Sequence, residues 1–342
     1  MKIRTVRFIV WPLVVLLLAA ITWFVWPRLP IITAFAAKGM CSSVFLAEKE
    51  PEQVMAEDLS FFPISLARCR VNYQEQSVTS TVFGLARRKA VYREGLGAVL
   101  LLDTPEKELK ARQFSIPDPG FDPDTLRWPR GNSMPDTLLP EVDYDYLQAV
   151  LDTCFDRPGE DPFKKTLGVA VVYDGYLIAE QYLGSYDATT KFHGWSMTKS
   201  ITGALAGILA DDGLLKPSDR VPFEAWEGDE RGSITVENVV RMSTGLDWYE
   251  NYFTISDATV MLMQRDDMLA SVLDNPLAHE PGTHWNYSSG DANLLSGIIR
   301  ETLPDNKSYH SFLYEELFYP AGMLNTVVET DARGLFVASS YS

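Results

Sequence analysis

The tetrapeptide Ser196-Met197-Thr198-Lys199 opens a run of small and apolar residues, Ile201-Thr202-Gly203-Ala204-Leu205-Ala206-Gly207-Ile208-Leu209-Ala210. No other stretch limits the fold so tightly. The run reads as one buried helix that stops near Gly213, and it carries a hydroxyl and an amine one turn apart on one face. A serine hydroxyl is a poor nucleophile unless a neighbouring base takes its proton. A lysine is such a base where burial or nearby positive charge keeps its amine neutral. At a helix N-terminus the free N–H groups and the helix dipole favour a developing negative charge. The same residues also suit a solvated helix start, with Ser196 as N-cap and Lys199 on the first turn. Trp195 before the serine and small residues after it favour a helix built for burial.

A second stretch, Glu280-Pro281-Gly282-Thr283-His284-Trp285-Asn286-Tyr287-Ser288-Ser289-Gly290-Asp291, begins with a Pro-Gly turn. Tyr287 then lies in a short loop before Ala292-Asn293-Leu294-Leu295-Ser296-Gly297-Ile298-Ile299, which reads as a helix. A loop tyrosine shuttles a proton where a neighbouring cation favours its phenolate. The alternative is an ordinary packing tyrosine.

Together these segments resemble the penicillin-recognising serine hydrolases: serine beta-lactamases, DD-carboxypeptidases and related esterases and amidases. The second motif is closer to the class C and esterase branch. Trp195-Ser196-Met197-Thr198-Lys199-Ser200, Met242-Ser243-Thr244-Gly245-Leu246-Asp247-Trp248 and Pro281-Gly282-Thr283-His284-Trp285-Asn286-Tyr287-Ser288-Ser289-Gly290 are similar to the aminohexanoate-dimer hydrolases of that branch. The resemblance runs from residue 144 to the end. It implies that Ser196 is the acylated nucleophile and that Lys199 and Tyr287 are the proton-transfer pair. Ser289 is a candidate substrate contact. It stands where beta-lactamases of this branch have an asparagine that holds the substrate amide, so efficient beta-lactam hydrolysis is not implied. The third family motif, Lys-Thr-Gly or His-x-Gly on a sheet-edge strand, is absent before Ser342.

Hydrophobic residues make up 46% of the 342, enough for a substantial core. The net charge of −16 excludes nucleic acid as a partner, because a phosphate backbone would be repelled. No spacing among the 4 His and 3 Cys fits a metal site, and no cofactor is implied. His193, three residues before Ser196, raises a Ser/His/Asp triad as an alternative. Its position suits a loop wall better, and Lys199 is already placed as base.

Residues 8–26 are almost entirely apolar, with Trp11, Trp23 and Trp26 near the ends. Lys2, Arg4 and Arg7 precede them. This reads as a single-pass helix with the bulk of the chain outside the cytoplasm, which is the periplasm if the cell is Gram-negative. A cleaved signal peptide ending at Ala34-Phe35-Ala36 is the rival, although that site lies well beyond the apolar stretch. Cys41 is not a lipid-attachment cysteine, since Met40 precedes it. It could pair with Cys69 in an oxidising compartment, or all three thiols could stay free.

Four regions are expected: an anchor over 1–30, a small β-rich segment over 31–114, a Pro-rich linker over 115–140 and a partial hydrolase domain over 141–342. Strands are read at 78–86, 89–93 and 96–101, with Glu94-Gly95 as a turn. A helix is read over 141–155, and Asp174-Gly175 joins strands 167–173 and 176–182 in a hairpin. The fold class is α+β, an antiparallel sheet packed with helices. The resemblance places further strands beyond Ser342. The ending, residues 335–342, has no closing charged helix or polar tail and reads as the middle of a domain.

The expected activity is cleavage of a small ester, amide or peptide through an acyl-enzyme on Ser196. The Ser196 N–H would be one oxyanion donor. Trp195, Trp285 and Tyr249 are candidates for an apolar acyl pocket, although aromatics are more often plain core. The alternatives are a DD-carboxypeptidase or weak beta-lactamase on cell-wall peptides, and a catalytically silent binding module.

Overall fold

In the computed structural model, which describes residue 19 and residues 22–134, 138–156, 159 and 164–339, the elements follow one another as α1 (Leu29–Phe45), β1 (Ala67–Asn72), β2 (Ser77–Val82), β3 (Leu85–Arg93), β4 (Gly97–Leu101), α2 (Tyr144–Cys154), β5 (Gly168–Tyr173), β6 (Tyr176–Tyr182), α3 (Thr198–Asp211), α4 (Asp257–Gln264) and α5 (Ser289–Thr302), with shorter helical turns between. Contacts divide the described residues into two units. One takes those within Met1–Ser115, His193–Tyr309 and Val327–Ser342, the other those within Ile116–Phe192 and His310–Thr326.

In the first unit β1 to β4 form an antiparallel meander in sequence order. Val78, Ser80 and Val82 alternate onto one buried face of β2. The helix α1 packs against β2 and β3 and also meets α4. Its Ala34, Ala36, Ala37 and Gly39 are buried, and such small residues let neighbouring backbones approach closely. Pro30 sits in its first turn, where a missing N–H costs nothing. Several buried polar groups around α1 are paired. Lys38, its pKa lowered by burial, pairs with Glu329. Glu329 Oε1 also accepts from Ser42 Oγ at 2.9 Å and from the Ala98 N–H at 2.6 Å. Arg93 Nη2 donates to Thr330 O at 2.7 Å. A buried charge left without such partners would cost about 3–5 kcal/mol.

This N-terminal part differs from the sequence reading. The segment over 31–114 begins with a long helix, and it shares a unit with residues 193–309. The stretch read as one strand, 78–86, is divided by a two-residue turn at Phe83 (φ 51°) and Gly84 (φ 76°). Positive φ at both central residues is the hairpin geometry that matches strand twist. Cys41 and Cys69 are free thiols. Burial raises the Cys69 thiol to about 11.

In the second unit β5 and β6 pair through Asp174 (φ 48°) and Gly175 (φ 79°), the expected hairpin. The helix α2 is N-capped by Asp143, whose side chain accepts from Tyr146 N at 3.0 Å. Gln148 of α2 reaches Gln181 of β6 at 2.9 Å. The sequence reading of the Pro-rich stretch is an extended linker draped over the following domain, and its described residues from Ile116 on belong to this unit. Tyr319 donates to Pro117 O, and Asp122 caps the turn Pro123–Thr125.

The α+β class stands. Among the described residues no helix is long and apolar enough to cross a membrane. Most of the expected span over 8–26 lies outside the described residues.

Candidate active site

Ser196 stands in a 3-10 turn, Trp195–Met197, that leads directly into α3. The expected position was the helix terminus itself. Trp195 holds φ at 47°. A bulky residue in the left-handed region costs about 1–3 kcal/mol and persists only where its surroundings impose it. Within the turn, Met197 N donates to Gly194 O at 3.0 Å and Thr198 Oγ1 to Trp195 O at 2.6 Å. After α3 the chain stops at Gly213 (φ 73°), as its sequence predicts.

The Ser196 hydroxyl has two partners of catalytic type. Lys199 Nζ donates to Ser196 Oγ at 3.0 Å, and Tyr287 OH donates to it at 3.0 Å. The Lys199 amine lies 4.9 Å from the Tyr287 ring centroid and donates to the Ser339 carbonyl at 3.0 Å. Ser196 itself is exposed and Lys199 half-buried. The three residues named from sequence therefore converge on one oxygen.

Two loops hold Tyr287. Asn286 N donates to Met242 O at 3.0 Å, Asn286 Nδ2 to Trp248 O at 2.8 Å, and Gly282 N to Ser243 O at 2.8 Å. Gly245 (φ 79°) is required in the facing loop, because a Cβ there would meet His279 O at 2.2 Å. Thr244 Oγ1 donates to Asp291 at 3.0 Å, and Ser288 caps α5 by accepting from the Asp291 N–H at 2.8 Å. Burial raises the Asp291 carboxyl to about 7.

Glu250 was missed by sequence reasoning. Its carboxylate accepts from Trp248 Nε1 at 2.8 Å, Tyr252 OH at 2.8 Å, Ser289 N at 2.7 Å and Ser289 Oγ at 2.8 Å. Nothing in its neighbourhood in sequence marks it, because two of its donors come from a distant loop. This network corrects the reading of Ser289 as a substrate contact. Ser289 is fully buried and its hydroxyl is committed to Glu250, with Tyr252 OH 3.0 Å away.

The candidate pocket aromatics are all exposed: Trp195 at 42%, Tyr249 at 53% and Trp285 at 66%. Trp195 stacks on Phe35 of α1, while the Tyr249 backbone is tied to Asp257 at the start of α4. They do not form one closed pocket with each other. His193 points elsewhere than a triad base would. Its Nε2 lies 3.1 Å from Ser43 Oγ, and burial lowers its pKa. Among the described residues no group of His, Cys, Asp and Glu side chains could hold a metal ion.

A family model described as Beta-lactamase matches residues 151–341. Protein flp of Staphylococcus aureus strain MW2 is 23% identical over 193 residues, covering 52% of this chain and 38% of that protein. A protein of Escherichia coli K12 described as "Putative D-alanyl-D-alanine carboxypeptidase" is 22% identical over 216 residues, 60% of this chain and 48% of that one. The chain thus spans less than half the length of these curated relatives. Among solved structures, "Putative 6-aminohexanoate-dimer hydrolase from Bacillus anthracis" is similar at 19% identity and a TM-score of 0.46, over 57% of this chain and 52% of that one.

Proposed function

This chain belongs to the beta-lactamase family of serine hydrolases, and from that premise we propose that it cleaves an ester or amide through an acyl-enzyme on Ser196, held at a membrane by residues 8–26. The observation that carries the reading is the double approach to one oxygen, Lys199 Nζ and Tyr287 OH each 3.0 Å from Ser196 Oγ. Ser196 Oγ bonds to the substrate carbonyl carbon as its proton passes to the Lys199 amine. The bond to the leaving group breaks as Tyr287 gives that group its proton. The proton on Lys199 then restores Tyr287. Water repeats the sequence, releases the acid and regenerates Ser196. The Ser339 carbonyl accepts an N–H of Lys199 at 3.0 Å and so holds the amine beside Ser196.

The apolar run over 8–26 with Lys2, Arg4 and Arg7 before it supports an anchor with the hydrolase outside the cytoplasm. A second reading, a carboxypeptidase acting on cell-wall peptides, is favoured by the description of the Escherichia coli relative. The burial of Ser289 supports esters over beta-lactams in either case.

Covalent labelling with a fluorophosphonate tests the reading. The full chain is expected to label at Ser196, and Ser196→Ala to abolish labelling. Lys199→Ala should lose nearly as much, since groups acting as one unit are not additive. Labelling that persists in Ser196→Ala would falsify the assignment, and no labelling of the parent chain would favour a silent binding module. A panel of acyl esters, acyl-D-Ala-D-Ala peptides and nitrocefin then separates the substrate classes.

A further inference from the structure

We propose that α1 holds the nucleophile in place, with Phe35 and Ser43 as positioning residues, an inference that rests on Ser196 being the acylated serine. The left-handed Trp195 is the residue next to that serine. A bulky residue holds this conformation only where its surroundings impose it. Phe35 does so from one side. Its ring stacks on the Trp195 indole with centroids 5.8 Å apart and planes 17° apart, and Phe61 braces Phe35 edge-on at 5.8 Å. Ser43 acts two residues upstream of Trp195. It is fully buried, and its hydroxyl meets His193 Nε2 at 3.1 Å and Asp58 Oδ2 at 3.3 Å. Phe35 and Ser43 lie about two turns apart and so share one helix face.

The same helix also grips the opposite wall of the site. Lys38 and Ser42 bind Glu329, whose backbone carbonyl accepts from Val337 N at 3.0 Å. Two residues further on, the Ser339 carbonyl meets Lys199. One helix outside the family match of residues 151–341 therefore contacts both the turn that carries Ser196 and Glu329, whose carbonyl binds the segment leading to Ser339. If Trp195 relaxed to negative φ, the Ser196 peptide would rotate and its Oγ would leave the 3.0 Å contacts. A misplacement of ~1 Å costs about a hundredfold in rate. Plain packing by Phe35 would affect stability and leave the turn unchanged.

The experiment uses the full chain and two readouts, hydrogen exchange of the 193–199 amides and the rate of fluorophosphonate labelling. Phe35→Ala is expected to label at least about tenfold more slowly and to exchange about tenfold faster over 193–199. Phe35→Tyr, which keeps a ring, should restore both. Ser43→Ala should slow labelling about threefold, the loss of one modest hydrogen bond. Met40→Ala opens a cavity in the same helix and should lower the melting temperature while leaving both readouts at parental values. If Phe35→Ala does not fold, Phe35→Leu, which keeps bulk without a ring, decides. Parental exchange and labelling in Phe35→Ala, or losses in Met40→Ala equal to those of Phe35→Ala, overturn the proposal. A parent chain that never labels would sink the acyl-enzyme reading, while the exchange comparison would still decide whether α1 holds the turn.

Discussion

The helices α1 and α3 are both rich in alanine, glycine and threonine, yet they live in opposite surroundings. Along α1, Thr33, Ala34, Ala36, Ala37, Gly39, Met40 and Cys41 are buried, so the helix is covered all round. Along α3 only Thr202, Leu205, Ala206 and Leu209 face inward with Thr198, whereas Ser200, Ala204 and Gly207 are exposed. A Cβ added to Gly203 or Gly207 would meet nothing within 4 Å. Small side chains permit close approach of a neighbour, but they do not supply the neighbour. The sheet supplies it for α1, and α5 covers only one side of α3.

The sharpest way to break this comparison is to unpair the charge inside the α1 packing. Glu329→Ala leaves Lys38 buried without its carboxylate and is expected to cost about 3–5 kcal/mol in urea unfolding. A loss below about 1 kcal/mol would mean that α1 is not held from that side. Next in size is a matched pair of insertions. Ala34→Leu overpacks a fully buried site and should cost about 1–3 kcal/mol. Ala204→Leu, on the exposed side of α3, should stay within about 0.5 kcal/mol. Equal costs would erase the distinction between the helices.

The cover of α3 also responds to pH. The Asp291 carboxyl on α5, raised from its ordinary 3.8 to about 7, meets hydroxyls and a backbone amide rather than a cation. The folded state therefore holds its proton where the unfolded chain has lost it. Its contribution is fully present below pH 3.8 and is lost as pH rises through about 7. Stability should fall across that window by up to about 1.4 kcal/mol per pH unit, and Asp291→Asn should flatten the curve. Asp331, raised to about 6, adds a slope of the same sign that Asp291→Asn leaves in place. The smallest effect is a gain. Gly207→Ala, at an open helical position, should stabilise by about 0.5–1 kcal/mol.

The legible parts of the chain were those where one short segment carries its own geometry. Asp174-Gly175 needs no distant partner to make a hairpin, and Ser196 and Lys199 meet because a single helical turn separates them. Tyr287 was found through its motif, although the contact to Ser196 spans 91 positions. Features set by tertiary contacts were hidden. A helix buried on every side, such as α1, has no polar stripe to give it a period. Its Lys38 and Ser42 look like surface residues until Glu329 arrives from the other end of the chain. β1 carries Arg68 and Arg70 between apolar positions, and Phe83 is an unusual residue for a left-handed turn. Ser289 looked free for a ligand because nothing nearby in sequence announces Glu250.

Glu250 separates what this chain presents to solvent from what it holds fixed. With four donors on two oxygens, its carboxylate ties Trp248 and Tyr252 to the start of α5. The stem of that loop is fastened, while Phe253 at its tip is 94% exposed and Tyr249 more than half exposed. Residues at the tip touch neither Ser196 nor Lys199 through any hydrogen bond, so their side chains are free to drift over generations. The tip can then change one residue at a time, with the distance between Tyr287 and Ser196 unchanged.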